Sequence, residues 1–145
     1  MRRVWGVPVL YLLVGAVLAA ALFAEGSTAG GVAVAVVFLV IALVHSPLFF
    51  PASTGAAEAL RRGAADGRPV VFWRPGCAYC IRMRLRLGRS ARRMHWVDIW
   101  SDPAGAAEVR AANDGDETVP TVFVAGRPHT NPPPAWVRGQ LDASA

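Results

Sequence analysis

The stretch RPGCAYCIRMR, residues 74–84, decides how this chain is read. It holds the only two cysteines of the 145-residue protein, Cys77 and Cys80. A Cys-x-x-Cys pair can bind metal, carry a haem, close an inert staple or do thiol chemistry, and the flanking residues discriminate among these. Covalent haem attachment needs a His directly after the second Cys, where Ile81 stands. Structural zinc needs four ligands. There is no second Cys pair, and His95 and His129 are far apart in sequence, so no metal site is expected. A staple closing so short a loop removes little chain entropy, and it would be unusual in a reducing compartment.

The local pattern supports thiol chemistry. PVVFW, residues 69–73, is a short apolar run with the length of a buried strand. Pro75 and Gly76 break it, and a helix is expected from about Ala78 to Arg92. Cys77 then falls at a helix N-terminus. Unpaired N–H groups and the helix dipole favour an anion there, which lowers a thiol pKa. Arg74 and Arg82 add positive potential. At about 100° per residue, Cys80 shares a face with Met83, Leu87 and Met94. That is the expected core face, which makes Cys77 the nucleophile and Cys80 the more buried, resolving thiol. A Cys-x-x-Cys near a βαβ pattern is a cue for a thioredoxin-like redox motif.

Downstream, HWVDIW (95–100) reads as a second strand. Asp102 followed by Pro103 is a capping carboxylate with Pro at the first helical position, opening a helix that runs to about Asn113. TVFVA (121–125) is a third strand, PHT after a Gly-Arg turn a short returning strand, and PPPAWVRGQL a last short helix. The order β-α-β-α-β-β-α predicts a three-layer α/β domain with a small four-stranded sheet over residues 67–145. In TVPT (118–121), Pro120 precedes a strand and tolerates a cis bond. A cis bond would leave the N–H and C=O of Val119 free to pair with an extended thiol substrate.

The N-terminal third is different in kind. Hydrophobic residues make up 54% of the chain, and its mean hydropathy is +0.36. Residues 4–24 and 31–50 carry no charge. Each has the length of ~20 residues that a bilayer span requires. EGSTAGG (25–31) separates them as a polar turn. A cleaved signal peptide is the alternative for the first stretch, but its apolar run exceeds the usual core of about 7–15 residues and a second span follows at once. A two-helix transmembrane hairpin over residues 1–51 is therefore expected, with residues 52–66 as a linker that can hold a short helix. Arg2 and Arg3 precede span one, while Arg61, Arg62 and Arg68 follow span two; the loop has only Glu25. Positive flanks stay inside, which places the domain in the cytoplasm at the plasma membrane. Trp5 and Tyr11 suit one interface, and His45 and Pro47 read as residues near the inner one.

All 15 basic residues are Arg, as in a GC-rich genome. Arg82, Arg86, Arg89 and Arg93 repeat at the spacing of one helix face. A solvated outer face accounts for them. Anionic lipid headgroups or an acidic protein partner are the sharper alternatives. Nucleic acid is not expected, because no aromatic platform accompanies the stripe.

CAYC (77–80), VDI (97–99) and TVPTVFVAG (118–126) follow the glutaredoxin pattern in order and spacing. Residues 68–141, about half the chain, resemble that family, whose fold is thioredoxin-like. The resemblance implies that Cys77 attacks mixed disulfides between a protein and a low-molecular-weight thiol, that Cys80 resolves, and that Thr118, Val119 and Pro120 hold the small thiol. Tyr79 matches the aromatic residue common within the motif. Glutathione-using members carry a Gly-Gly stretch after the last strand; this chain has HTNPPPAW there. TNP (130–132) instead resembles the actinobacterial mycoredoxins, which implies mycothiol as co-substrate and Thr130 and Asn131 as further substrate-binding positions. The resemblance thus implies an anchored oxidoreductase without a bound cofactor, drawing electrons from a mycothiol or glutathione pool, with mixed-disulfide proteins as clients. A non-enzymatic membrane adaptor or redox sensor is the alternative, and an oxidant with its domain outside the membrane is another.

Overall fold

The computed structural model describes residues 2–144; the side chains of Arg2 and Arg3, used above for orientation, lie outside the described residues. The chain divides into two compact units, residues 1–49 and 50–145.

The first unit is a helical hairpin. Helix α1 (Arg2–Ala24) and helix α2 (Thr28–His45) are joined by a three-residue turn. Tyr11 meets His45 with ring centroids 5.0 Å apart, Gly15 faces Phe38 and Phe23 faces Gly31. These pairs run in opposite directions along the two helices, so the helices are antiparallel. The glycines permit this approach: a Cβ on Gly31 would fall 2.5 Å from the Phe23 ring. Small residues at such seams are how apolar helices pack when lipid offers no hydrophobic driving force. Residues 4–24 and 28–45 have mean hydropathies of 2.5 and 2.4, long and apolar enough to cross a membrane. Their outward faces stay apolar, with Leu13 61% and Val17 69% exposed.

The second unit is built on four strands, β1 (Val70–Trp73), β2 (His95–Asp98), β3 (Thr121–Val124) and β4 (Arg127–Thr130), ordered β2-β1-β3-β4. β1 is parallel to β2 and antiparallel to β3, and β3 is antiparallel to β4. Every residue of β1 is buried, as its unbroken apolar run requires of a central strand. Helices α3 (Ala56–Asp66) and α5 (Pro103–Ala112) pack together, as do α4 (Ala78–Leu87) and α6 (Pro134–Ala143). A Cβ on Gly105 of α5 would touch Val97 and Phe72, which places α5 over one face of the sheet. Trp73 and Trp96 stack or tilt against Phe50, and the Trp96 Nε1–H donates to the Ala91 carbonyl at 2.7 Å. This four-stranded mixed sheet with flanking helices is the architecture expected from sequence.

Two expectations need correction. Residues 52–66 are more than a linker: α3 occupies most of them and buries Ala56, Ala59 and Gly63 in the folded unit. Ahead of it, Ser53 bridges to Trp96 and extends the β2 edge. The helix expected over 78–92 ends at Leu87, since Gly88 follows with φ 55° and a six-residue 3-10 segment (Gly88–Arg93) takes over. Arg82 and Arg86 therefore lie on α4, while Arg89 and Arg93 do not share its helical face.

Asp102 ties the unit together more than a simple cap does. Its Oδ1 accepts from the N–H groups of Ala104 and Gly105 at 2.9 and 3.2 Å. Its Oδ2 accepts from the N–H of Ala56 at 2.6 Å, the first residue of α3. One carboxylate thus caps two helices. Asp102→Ala should cost about 2–3 kcal/mol, more than the ~1 kcal/mol of a single cap. Asp102→Asn, which keeps an acceptor for α5, should cost less than half of that; urea unfolding followed by tryptophan fluorescence measures both.

Candidate redox site

β1 delivers the chain to a turn in which Gly76 adopts φ 77°, a conformation glycine takes without steric cost. Cys77 follows as the N-cap of α4, with φ −80° and ψ 109°. Its Sγ accepts from the Cys80 N–H at 3.2 Å, where a Ser or Asp oxygen usually sits. The expected position at a helix N-terminus is observed, and the sulfur is itself the cap. Cys77 and Cys80 are joined as a disulfide, with Cα atoms 5.2 Å apart. Cys80 is fully buried with Met83 and Leu87, whereas Cys77 is half-buried. The asymmetry read from the helical periodicity is therefore present.

The Val119–Pro120 bond is cis. The Val119 carbonyl oxygen lies 3.5 Å from the Cys77 Sγ, so the reduced thiol has an acceptor there. Among the described residues nothing accepts the Val119 N–H. A free donor thus stands next to the sulfur. The segment is pinned from behind. The buried Thr121 hydroxyl donates to the Thr118 carbonyl at 2.7 Å and accepts from Asn113 Nδ2 at 3.1 Å. Asn113 Nδ2 also reaches the Val109 carbonyl at 2.8 Å, and the Thr130 hydroxyl donates to Asn113 Oδ1. On the other side, the Asn131 N–H donates to the Pro120 carbonyl at 2.7 Å.

A cleft of about 220 Å³ lies between α4 and the segment leading into α6, lined by Tyr79, Arg82, Met83, Asn131 and Pro132–Pro134. Beside it, a second cleft of about 380 Å³ is lined by Arg82, Arg86, Pro133, Pro134, Ala135 and Arg138. Of the candidate residues, Cys77, Val119 and Pro120 come together, and Tyr79 and Asn131 share the nearby cleft. Thr118 contributes its carbonyl to the support of the loop, and Thr130 turns its hydroxyl to Asn113 instead of lining the cleft. Asn113, Thr121 and Arg138 escaped sequence reasoning. The proline run at 132–134 was the one visible sign of the cleft wall. Among the described residues no cluster of His, Cys, Asp or Glu is placed to hold a metal.

Asp98 ends β2 in register with Trp73, at the same end of the sheet as the cysteines. Burial pushes its carboxyl above the usual carboxylate range, against the Trp100 N–H and the Ser101 hydrogen bonds that favour the charge. Arg74 lies over the Trp100 ring, 5.9 Å from its centroid.

A family model described as glutaredoxin matches residues 70–129. Two sequences from two strains of Mycobacterium tuberculosis, each described as a "putative glutaredoxin", are 38% identical over 73 residues, covering 50% of this chain and 87% of each relative.

Thr121→Val keeps the shape but orphans the Thr118 carbonyl and one Asn113 contact. It should destabilise the unit by about 1–3 kcal/mol, as urea unfolding followed by tryptophan fluorescence will read. For Asp98, a folded-state pKa raised above the unfolded value means that the native state binds more protons. Its stabilising contribution is full below the unfolded pKa and is lost as pH rises through the folded one. Asp98→Asn should therefore melt higher than wild type at neutral pH, and the gap should close toward pH 3; thermal melts across that range decide it.

Proposed function

The chain belongs to the glutaredoxin family, and we propose that it is a membrane-anchored oxidoreductase that reduces mixed disulfides between client proteins and a low-molecular-weight thiol. The observation that carries this is the Cys77 sulfur capping α4 beside the unspent N–H of Val119. The cap and the helix dipole favour a thiolate at Cys77. An extended client or thiol segment that hydrogen-bonds to the Val119 N–H is laid against that sulfur.

In the first step the Cys77 thiolate attacks the small-thiol sulfur of the mixed disulfide. A Cys77–small-thiol bond forms, the client–thiol bond breaks, and the client leaves as a thiolate. In the second step a further small thiol attacks that sulfur, regenerating Cys77 and releasing the oxidised small-thiol dimer. Alternatively Cys80, once deprotonated, attacks Cys77 Sγ and expels the small thiol, closing the disulfide present in the structure. No bound cofactor enters; the electrons come from the small-thiol pool and, behind it, a nicotinamide-dependent reductase.

Mycothiol is the proposed small thiol. Three consecutive prolines, Pro132–Pro134, occupy the cleft wall. Proline has no N–H, so this wall cannot grip a carboxylate through backbone donors as a glycine pair can. A neutral pseudodisaccharide needs no such grip, and both matched relatives come from an actinobacterium. The anchor is proposed as a plasma-membrane hairpin with the domain facing the cytoplasm. Its support is the apolar outward face of both helices and the arginines that follow them.

Protein mixed disulfides of mycothiol and of glutathione, each with its own thiol and reductase, test this. Release from the mycothiol adduct should be at least tenfold faster than from the glutathione adduct. It should vanish in Cys77→Ser and persist in Cys80→Ser. Turnover of neither adduct would leave a non-enzymatic adaptor as the better account.

A further inference from the structure

At the opposite end of β1 and β2 from Cys77 lies a cleft of about 310 Å³ that the redox chemistry does not use. Arg62, Arg68, Arg92, Arg93 and His95 line it, together with Pro51, and no carboxylate is among its lining residues. The folding of unit two creates this convergence. Arg62 comes from α3, Arg68 from the loop before β1, Arg92 and Arg93 from the 3-10 segment that Gly88 starts, and His95 from the edge strand β2. Like charges gathered this way repel unless an anion joins them.

Neighbouring acids offset part of that charge. Arg62 pairs with Glu58 at 2.6 Å, but Glu58 also serves Arg61. Asp66 lies 3.8 Å from Arg68 and 2.9 Å from His95 Nε2. Burial opposes the charge of Asp66, but the Arg68 N–H, the His95 ring and both neighbouring charges hold its carboxyl below the usual range. Arg93 approaches Asp142 at only 3.7 Å. Arg92 is exposed and has no carboxylate partner among the described residues. Five guanidiniums, counting Arg61, thus meet three carboxylates, and none of the three is among the cleft-lining residues.

We propose that this cleft binds the phosphate of an anionic phospholipid headgroup. Planar, multi-donor guanidiniums suit phosphate oxygens. The source follows from chain length. α2 ends at His45 and the cleft wall begins at Pro51, six positions on, a reach of at most about 20 Å from the end of the second apolar helix. The lipid source rests on the anchored, inward-facing placement proposed above; the phosphate site itself does not. It also moves the lipid contact raised as an alternative for Arg82, Arg86, Arg89 and Arg93, whose common helical face is broken at Gly88, to a set of arginines that keeps only Arg93 of these four.

The test uses the full chain in a neutral detergent, titrated with short-chain phosphatidylglycerol, short-chain phosphatidylcholine or inorganic phosphate, with bound species counted by native mass spectrometry. Phosphatidylglycerol should bind in preference to the other two. Arg92→Gln/Arg93→Gln should weaken it about 30-fold, as expected for two cations removed from an anion-binding site. Arg89→Gln/Arg127→Gln, which removes the same charge elsewhere, should change it less than threefold. Equal loss in both double variants, or no preference for phosphatidylglycerol over phosphatidylcholine, overturns the site. Inorganic phosphate binding as tightly as the lipid, with the same dependence on Arg92 and Arg93, overturns the lipid source. Carbonate extraction of cell membranes is run in parallel. Release of the chain into the wash overturns the anchor, whatever the titrations give.

Discussion

The second unit turns on a sulfur atom used as a helix cap. A strand must end, a helix must begin, and the helix leaves its first N–H groups without partners. In this chain Cys77 meets the Cys80 N–H with its Sγ, so the atom that completes the local structure is also the proposed nucleophile. Ordinary caps are oxygens that stay as they are. This one changes charge and bonding state during proposed turnover, and the cap strengthens when it is a thiolate because the bond becomes charge-assisted. Across from it, the Val119 carbonyl accepts from a thiol but disfavours a thiolate. In the proposed reduced state, the helix terminus and the loop opposite therefore act on the same sulfur in opposite senses.

That balance holds only if the loop is stationary, which explains why so much polar structure lies behind it. Thr121 is fully buried, and a buried hydroxyl is costly unless bonded. Its two bonds, to the Thr118 carbonyl and to Asn113, convert that cost into positional order for Val119. Asn113 in turn ends α5 and takes the Thr130 hydroxyl from β4. A helix end, a sheet edge and the loop are thereby locked to one another, close to the sulfur but without touching it.

Much of this was legible in the sequence. The four strands could be read because β1 is a central run buried on both faces and because turn residues bound the others. The placement of the cysteines followed from a three-residue spacing on a helix, which puts one at the terminus and the other on the core face. What could not be read depends on packing. Helix α3 buries Ala56, Ala59 and Gly63, residues too small to leave an apolar pattern. The end of α4 was signalled by Gly88, but arginines repeating at helical spacing and the inward Met94 concealed it. The Asn113–Thr121–Thr130 network joins residues 8 and 17 positions apart through strand pairing, which no local window contains.

The early end of α4 has a consequence at each end of the sheet. A helix continuing to residue 92 would have carried Arg82, Arg86, Arg89 and Arg93 along one face as a uniform stripe. Stopping at Leu87 leaves Arg82 and Arg86 beside Arg138 and the prolines near the disulfide, and it turns Arg92 and Arg93 toward His95 and the start of the domain. A single positive surface becomes two. One lies beside the cleft that Tyr79 and Asn131 line. The other has its first lining residue, Pro51, six positions after the end of α2. Both surfaces depend on one backbone conformation, the φ of 55° at Gly88, which parts Arg82 and Arg86 from Arg92 and Arg93.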